Sequence, residues 1–222
     1  MVGRAEDARN GSEQLDTGGP MSADDQQLPP AALMVTHPVA DFDTWRAGFD
    51  AGEPDRREAG VLGHHLNHAE DDPTLVSIYL AIADVERARA FTDSDELKTA
   101  MRDVGVTGPP EILWMTPVRE AIVWDRQLPA MTVTHSVADF DAWFVGYNAA
   151  DDTRAAHGII GHAANRSLDD PSMAVIYHQA ESFDALRSFL ADPDLRAAME
   201  AAGVTSPPQT TYMTGGWAKQ YG

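Results

Sequence analysis

Eight histidines and no cysteine define the chemistry open to this chain of 222 residues. An imidazole exchanges a proton near neutral pH, whereas without a thiol there is no disulfide, thiolate metal site or cysteine nucleophile. Four of the histidines form two equivalent pairs, His37 with His135 and His64 with His162. His37 and His135 end an apolar run just before a helix cap. Their plainest role is a hydrogen bond that fixes the turn, with contact to a ligand as the other. His64 and His162 each follow a glycine, which allows another segment or a ligand to come close. They divide between a pocket acid or base and a surface residue of an edge strand. In His64-His65-x-x-His68, strand alternation sends His65 to the face opposite His64 and His68, and the second copy has Arg166 in place of His68. A cage built from the paired histidines needs ligands from both copies, so no metal site is assigned. Nothing matches a P-loop, a dinucleotide fingerprint or a zinc-protease helix.

The two copies also differ. His178 stands where the first has Leu80, His157 replaces Ala59, and Tyr212 replaces Trp114. His178, beside Tyr177, is the best single candidate in the second copy, against the plainer role of a core histidine. Tyr79, Tyr177, Asn67 and Asn165 recur and are placed to line cavities, the alternatives being sheet pairing and the start of a turn. The candidate catalytic set is therefore His162, His178, His64, Tyr177 and Tyr79. The candidate substrate-binding set is Asn67, Asn165, Trp114, Tyr212, His37 and His135.

These residues are carried by one module written twice. Laying Ala32–Pro117 over Ala130–Gly215 without a gap gives 34 identical pairs in 86, too many for chance. Each copy opens on a short β-forming run, Ala32–Thr36 and Met131–Thr134. A helix follows, with Asp41 and Asp139 at the N-cap and Phe42, Trp45, Phe49 or Phe140, Trp143, Tyr147 on its core face. Gly60 and Gly158 are placed to end it. Val61–His68 and Ile159–Arg166 are predicted second strands, closed by Asp-Asp-Pro turns, and Leu75–Ala81 and Met173–Gln179 third strands. Val85–Val104 and Phe183–Ala202 have helical spacing, broken near Ser94-Asp95 and Pro193. Ile112–Thr116 and Thr210–Thr214 complete each module as fourth strands.

The order βαββαβ is the ferredoxin-like unit, an antiparallel sheet with both helices on one face. Its open face must be buried. The natural partner is the other copy, so the predicted fold is α+β, two ferredoxin-like modules packed sheet to sheet as an intramolecular pseudo-dimeric α/β barrel. The boundaries are residues 1–30 as a disordered leader, 31–117 as module 1, 118–129 as a linker and 130–222 as module 2. Val118–Trp124 is a candidate strand tying the halves together.

A formal charge of −19 argues against nucleic acid and anionic membrane surfaces and favours a neutral or apolar small-molecule ligand. No apolar run approaches a membrane span and the first residues are polar, so a cytoplasmic location is expected.

The motifs VTH-x-VADFD-x-W, G-x-x-GH-x-x-N-x-x-x-DDP and AM-x-x-x-GVT-x-PP, each present twice, resemble those of the antibiotic biosynthesis monooxygenase-like family of dimeric α/β barrels. The resemblance covers nearly all of both modules. It implies a tandem fusion of the usual homodimer, with pockets between sheet and helices or inside the barrel, and leaves room for a homodimer of the fused chain. It further implies a cofactor-independent oxygenase or cyclase acting on an aromatic or polyketide-like molecule, with a histidine base and Asn, Tyr or Trp donors for the oxyanion. A non-catalytic barrel that binds a ligand or metal is the alternative.

Overall fold

The computed structural model describes residues 28–221, so most of the expected leader lies outside the described residues. Module 1 runs β1 (Ala31–Pro38), α1 (Phe42–Ala51), α2 (Glu53–Glu58), β2 (Val61–Ala69), β3 (Leu75–Ile82), α3 (Val85–Asp93), α4 (Asp95–Asp103) and β4 (Glu111–Ala121). Module 2 repeats the order as β5 (Ala130–Ser136), α5 (Phe140–Ala149), α6 (Asp151–Ala156), β6 (Ile159–Ser167), β7 (Met173–Ala180), α7 (Phe183–Ala191), α8 (Pro193–Ala201) and β8 (Gln209–Gln220).

Local chemistry accounts for these boundaries. The carboxylates of Asp41 and Asp139 accept the amides of Thr44 and Ala142 at 2.8 and 2.9 Å, which satisfies donors that the first helical turn leaves free. Ser94 and Asp192 do the same for α4 and α8, and so break each second helix where the sequence placed the break. The first helix is also broken, at Gly52 and Ala150, into a long and a short piece. Gly60 and Gly158 then reverse the chain at φ of 84° and 74°, a conformation that costs glycine little.

The strands close into an eight-stranded barrel in the order β1-β3-β2-β8-β5-β7-β6-β4. The fourth strands are longer than their apolar cores suggested. β4 pairs with β1 from Thr36↔Glu111 to Ala32↔Met115 and with β6 from Met115↔Ser167 to Ala121↔His162, with an irregularity at Pro117–Arg119 inside the second ladder. β8 likewise pairs with β5 and crosses to β2. The halves are thus joined by backbone ladders as well as facing side chains, and among the described residues no strand edge is left to pair elsewhere. Within each strand, alternate residues face the lumen or the helices. Leu33, Leu66, Ile78 and Trp114 pack with Trp45 on one helix-side core, and Met131, Val133, Ile176, Leu186 and Phe189 pack with Trp143 on the other. Ala32, Met115 and Val175 pack inside the barrel.

Candidate active site

The residues singled out from sequence fall on the two faces of this sheet. Tyr79, Tyr177, Asn67 and Asn165 point into the lumen. His37, His64, His135, His162, His178, Trp114 and Tyr212 point toward the helices, in two module cores that the sheet separates. Trp114 lies under the Arg89 guanidinium at 4.5 Å and Tyr212 under that of Arg187 at 5.0 Å, and neither lines a cavity described below.

In module 2 the gap between sheet and helices is an apolar cavity. Met131, Val133 and Ile176 form its floor; Trp143, Tyr147, Phe189, Leu195 and Met199 form its walls; His135, His178 and Arg154 supply its polar atoms. His178 pairs across the ladder with Met131, and His135 follows four residues later on β5. At about 3.3 Å per residue the backbone positions that carry the two imidazoles are roughly 13 Å apart along the strands, near opposite ends of the floor. Both are buried, and all four ring nitrogens lack a hydrogen-bond partner among the described residues. The Arg154 Nε–H is buried and unpartnered as well, while its Nη2 donates to the Tyr147 carbonyl at 2.7 Å and to Asp151 at 2.5 Å. Edge-on aromatic contacts fix the imidazoles, His135 on Trp143 at 5.5 Å and His178 on Phe189 at 5.2 Å.

Electrostatics keep these rings neutral. Burial, with smaller contributions from the Arg154 charge and His162, takes His178 down to about 3, and burial alone takes His135 down to about 4. His162 stands behind the wall. Its Nδ1 is 2.8 Å from the Tyr147 hydroxyl and its Nε2 is 3.7 Å from Asp151. Burial opposes ionisation of Asp151, but hydrogen bonds from Arg119 and Arg154 outweigh it and hold the carboxyl at about 2. A carboxylate on the Nε2 side favours the proton there, leaving Nδ1 to accept from the phenol. His157 is held apart, its Nε2 at 2.8 Å from Asp192 at the α7–α8 junction.

Module 1 is packed differently at the positions that match this cavity. Val104 occupies the position of Ala202, and it presses so closely on Gly48 that a Cβ there would lie 2.2 Å from Val104 Cγ1. The matching contact at Gly146 is 3.3 Å, to Ala202. Leu80 stands for His178 and Phe49 for Tyr147. The phenol facing His64 comes instead from Tyr221, 2.8 Å from its Nδ1, with Arg56 Nε donating to the same oxygen at 2.9 Å.

Arg154 and its counterpart Arg56 had no place in the sequence reading, although both fall inside the repeat and both are buried. Their recurrence was the available signal. Tyr147 and Trp143 are core residues, as their helical spacing predicts, and they also wall the cavity.

No family model matches the chain, and no curated protein matches it. Among solved structures it is similar to an anthrone oxidase-like protein (TM-score 0.60, 12% identity, covering 86% of this chain and 92% of that one). It is also similar to a monooxygenase candidate from Fusobacterium nucleatum (0.61, 11%, 89% and 97%) and another from Lactobacillus acidophilus (0.57, 12%, 83% and 93%). Coverage of this extent runs through both modules. The chain is an α+β protein with the fold of these structures, an α/β barrel whose two halves lie in one polypeptide, the architecture that its repeat and motifs implied. Among the described residues no helix is long and apolar enough to cross a membrane, and no group of three or more His, Asp or Glu side chains is placed to hold a metal ion.

Proposed function

We propose that the module 2 cavity is the active site of a cofactor-independent oxygenase acting on a flat aromatic, polyketide-like molecule. The observation that carries this reading is the pairing of apolar walls with two unpartnered imidazoles at opposite ends. A buried polar group without a partner costs about 1–3 kcal/mol, and an elongated aromatic with oxygen atoms at both ends relieves that cost. Three of the similar folds are described in oxygenase terms, one of them as anthrone oxidase-like.

In the proposed reaction His178 takes a proton from an acidic ring carbon or phenol. Burial, the larger cause of the depressed imidazole, disfavours the anion of a bound acid as well, and the Arg154 charge offsets this by lowering the pKa of that acid. The electron-rich carbanion reduces oxygen, a C–O bond forms as a hydroperoxide, and loss of water leaves a carbonyl. One O2 is consumed and one water released for each methylene converted to a carbonyl. His135 donates its N–H to the oxyanion at the far end, while Trp143, Tyr147 and Phe189 exclude water.

Oxygen uptake with 1,8-dihydroxyanthrone as the probe tests the reading. One equivalent of oxygen consumed above the uncatalysed rate, with the anthraquinone as product, is the expected result. Cyclisation of a polyketide-like probe without oxygen uptake would reassign the same base to a cyclase, and binding without turnover would leave a non-catalytic site.

A further inference from the structure

The lumen, on the opposite face of the sheet, holds polar groups that the proposed reaction does not use. His65, Asn67, Tyr79 and Tyr177 point inward, and Glu120 and Trp124 stand half-buried at one end. Gln179 fixes that end. Its side-chain oxygen accepts the Val123 amide at 2.9 Å and its nitrogen donates to the Val123 carbonyl at 3.2 Å. Gly161 makes the room, because a Cβ there would lie 2.2 Å from Gln179 Oε1.

Asn67 Nδ2 is 3.1 Å from His65 Nδ1, and the Tyr177 hydroxyl is 3.5 Å from Asn67 Oδ1. The amide therefore donates to Nδ1, and the imidazole proton sits on Nε2. That nitrogen is buried without a partner among the described residues. The rings of Trp124 and Tyr177 stand edge-on to His65 at 5.5 and 5.7 Å. Among the described residues Glu120 has no hydrogen bond and no ion pair. Its neighbour Arg119 turns away to Asn148 and Asp151, and among the described residues no Lys or Arg lines the cavity. Glu120 does face Tyr79, where burial first and the carboxylate second keep the phenol protonated.

An unpaired carboxyl in an apolar enclosure walled by indole and phenol rings suits a positive charge, since the carboxylate supplies the counter-ion and the ring faces supply cation–π attraction. A carboxylate ligand would meet Glu120 with nothing to offset it. We propose that the barrel lumen binds a small organic amine as its ammonium ion, with Glu120 taking the charge and His65 Nε2–H donating to an oxygen of the same molecule. This site is independent of the module 2 cavity.

Calorimetry on the full chain with tyramine, and with 4-hydroxyphenylacetate as the same skeleton bearing the opposite charge, tests it. Tyramine should bind at one site at least ten-fold tighter than the acid. Glu120→Gln should weaken tyramine ten-fold or more, and Trp124→Ala should weaken it also, whereas Ala202→Val, which fills the other cavity, should leave it unchanged. No tyramine binding at millimolar concentration, equal binding of the two probes, indifference to Glu120→Gln, or loss in Ala202→Val would each overturn the proposal. The comparison of the two probes on the unmodified protein needs no variant to fold.

Discussion

At the scale of the residue, a histidine at position 178 is an expensive choice for a core. Module 1 fills the equivalent place with Leu80, which packs without an unsatisfied nitrogen. Replacing His178 with Leu should therefore leave the melting temperature unchanged or higher. It should also lower turnover 10²- to 10⁴-fold, the range that general-base help supplies. Thermal unfolding and kcat measured on the one variant separate these outcomes, and a variant as active as the parent would show His178 to be packing only. The sequence exposed His178 because the copies disagree there. Alternation alone placed His65 on the face opposite His64, but its local pattern does not show which groups the barrel brings to that face. Arg154 was hidden because nothing in its local pattern shows that a charged side chain of a short helix is turned inward to 3% exposure.

Among the elements, the contact between the first helix and the segment ending the last one is tighter in module 1 than in module 2. In module 1, Gly48→Ala drives a methyl into Val104 and should cost about 1–3 kcal/mol, as overpacking does. In module 2, Gly146→Ala meets only Ala202 at 3.3 Å and should fall within about 1 kcal/mol of neutral, helped by the helix preference for alanine. Denaturant unfolding of the two variants checks the difference. Element identity and order were legible because caps, Asp-Asp-Pro turns and apolar period all agreed. The reach of β4 was legible in part, because Val118–Trp124 was a candidate strand tying the halves together, whereas the extension of β8 was not. Their second halves, such as Val118–Ala121, carry no decisive alternation of their own and are strands because the other module offers them a partner edge.

At the scale of the molecule, those crossing strands make each half incomplete. A half expressed alone should be insoluble or should pair with a second copy to regain the β2–β8 and β4–β6 ladders. A stable, soluble monomeric half, seen by analytical ultracentrifugation at micromolar concentration, would contradict the closed barrel.

Stability should also depend on pH through the interior imidazoles. Burial, the largest cause for each, holds His64, His65, His135 and His162 at about 4 and His178 at about 3. Unfolded, they titrate near 6.5. Between those values the unfolded chain binds more protons, so stability is fully present above about pH 6.5 and is lost as pH falls toward 4. Melting temperatures at pH 7.5, 6 and 5 should decline in that order, and less steeply for His178→Leu.

The most direct measurement is oxygen uptake with the anthrone probe by Ala202→Val, which places the module 1 side chain where the module 2 cavity is open. If that cavity is the active site, uptake should fall at least 100-fold in this variant with the melting temperature preserved, while Glu120→Gln in the lumen retains the parent rate. Uptake by Ala202→Val at the parent rate, or loss confined to Glu120→Gln, would contradict it.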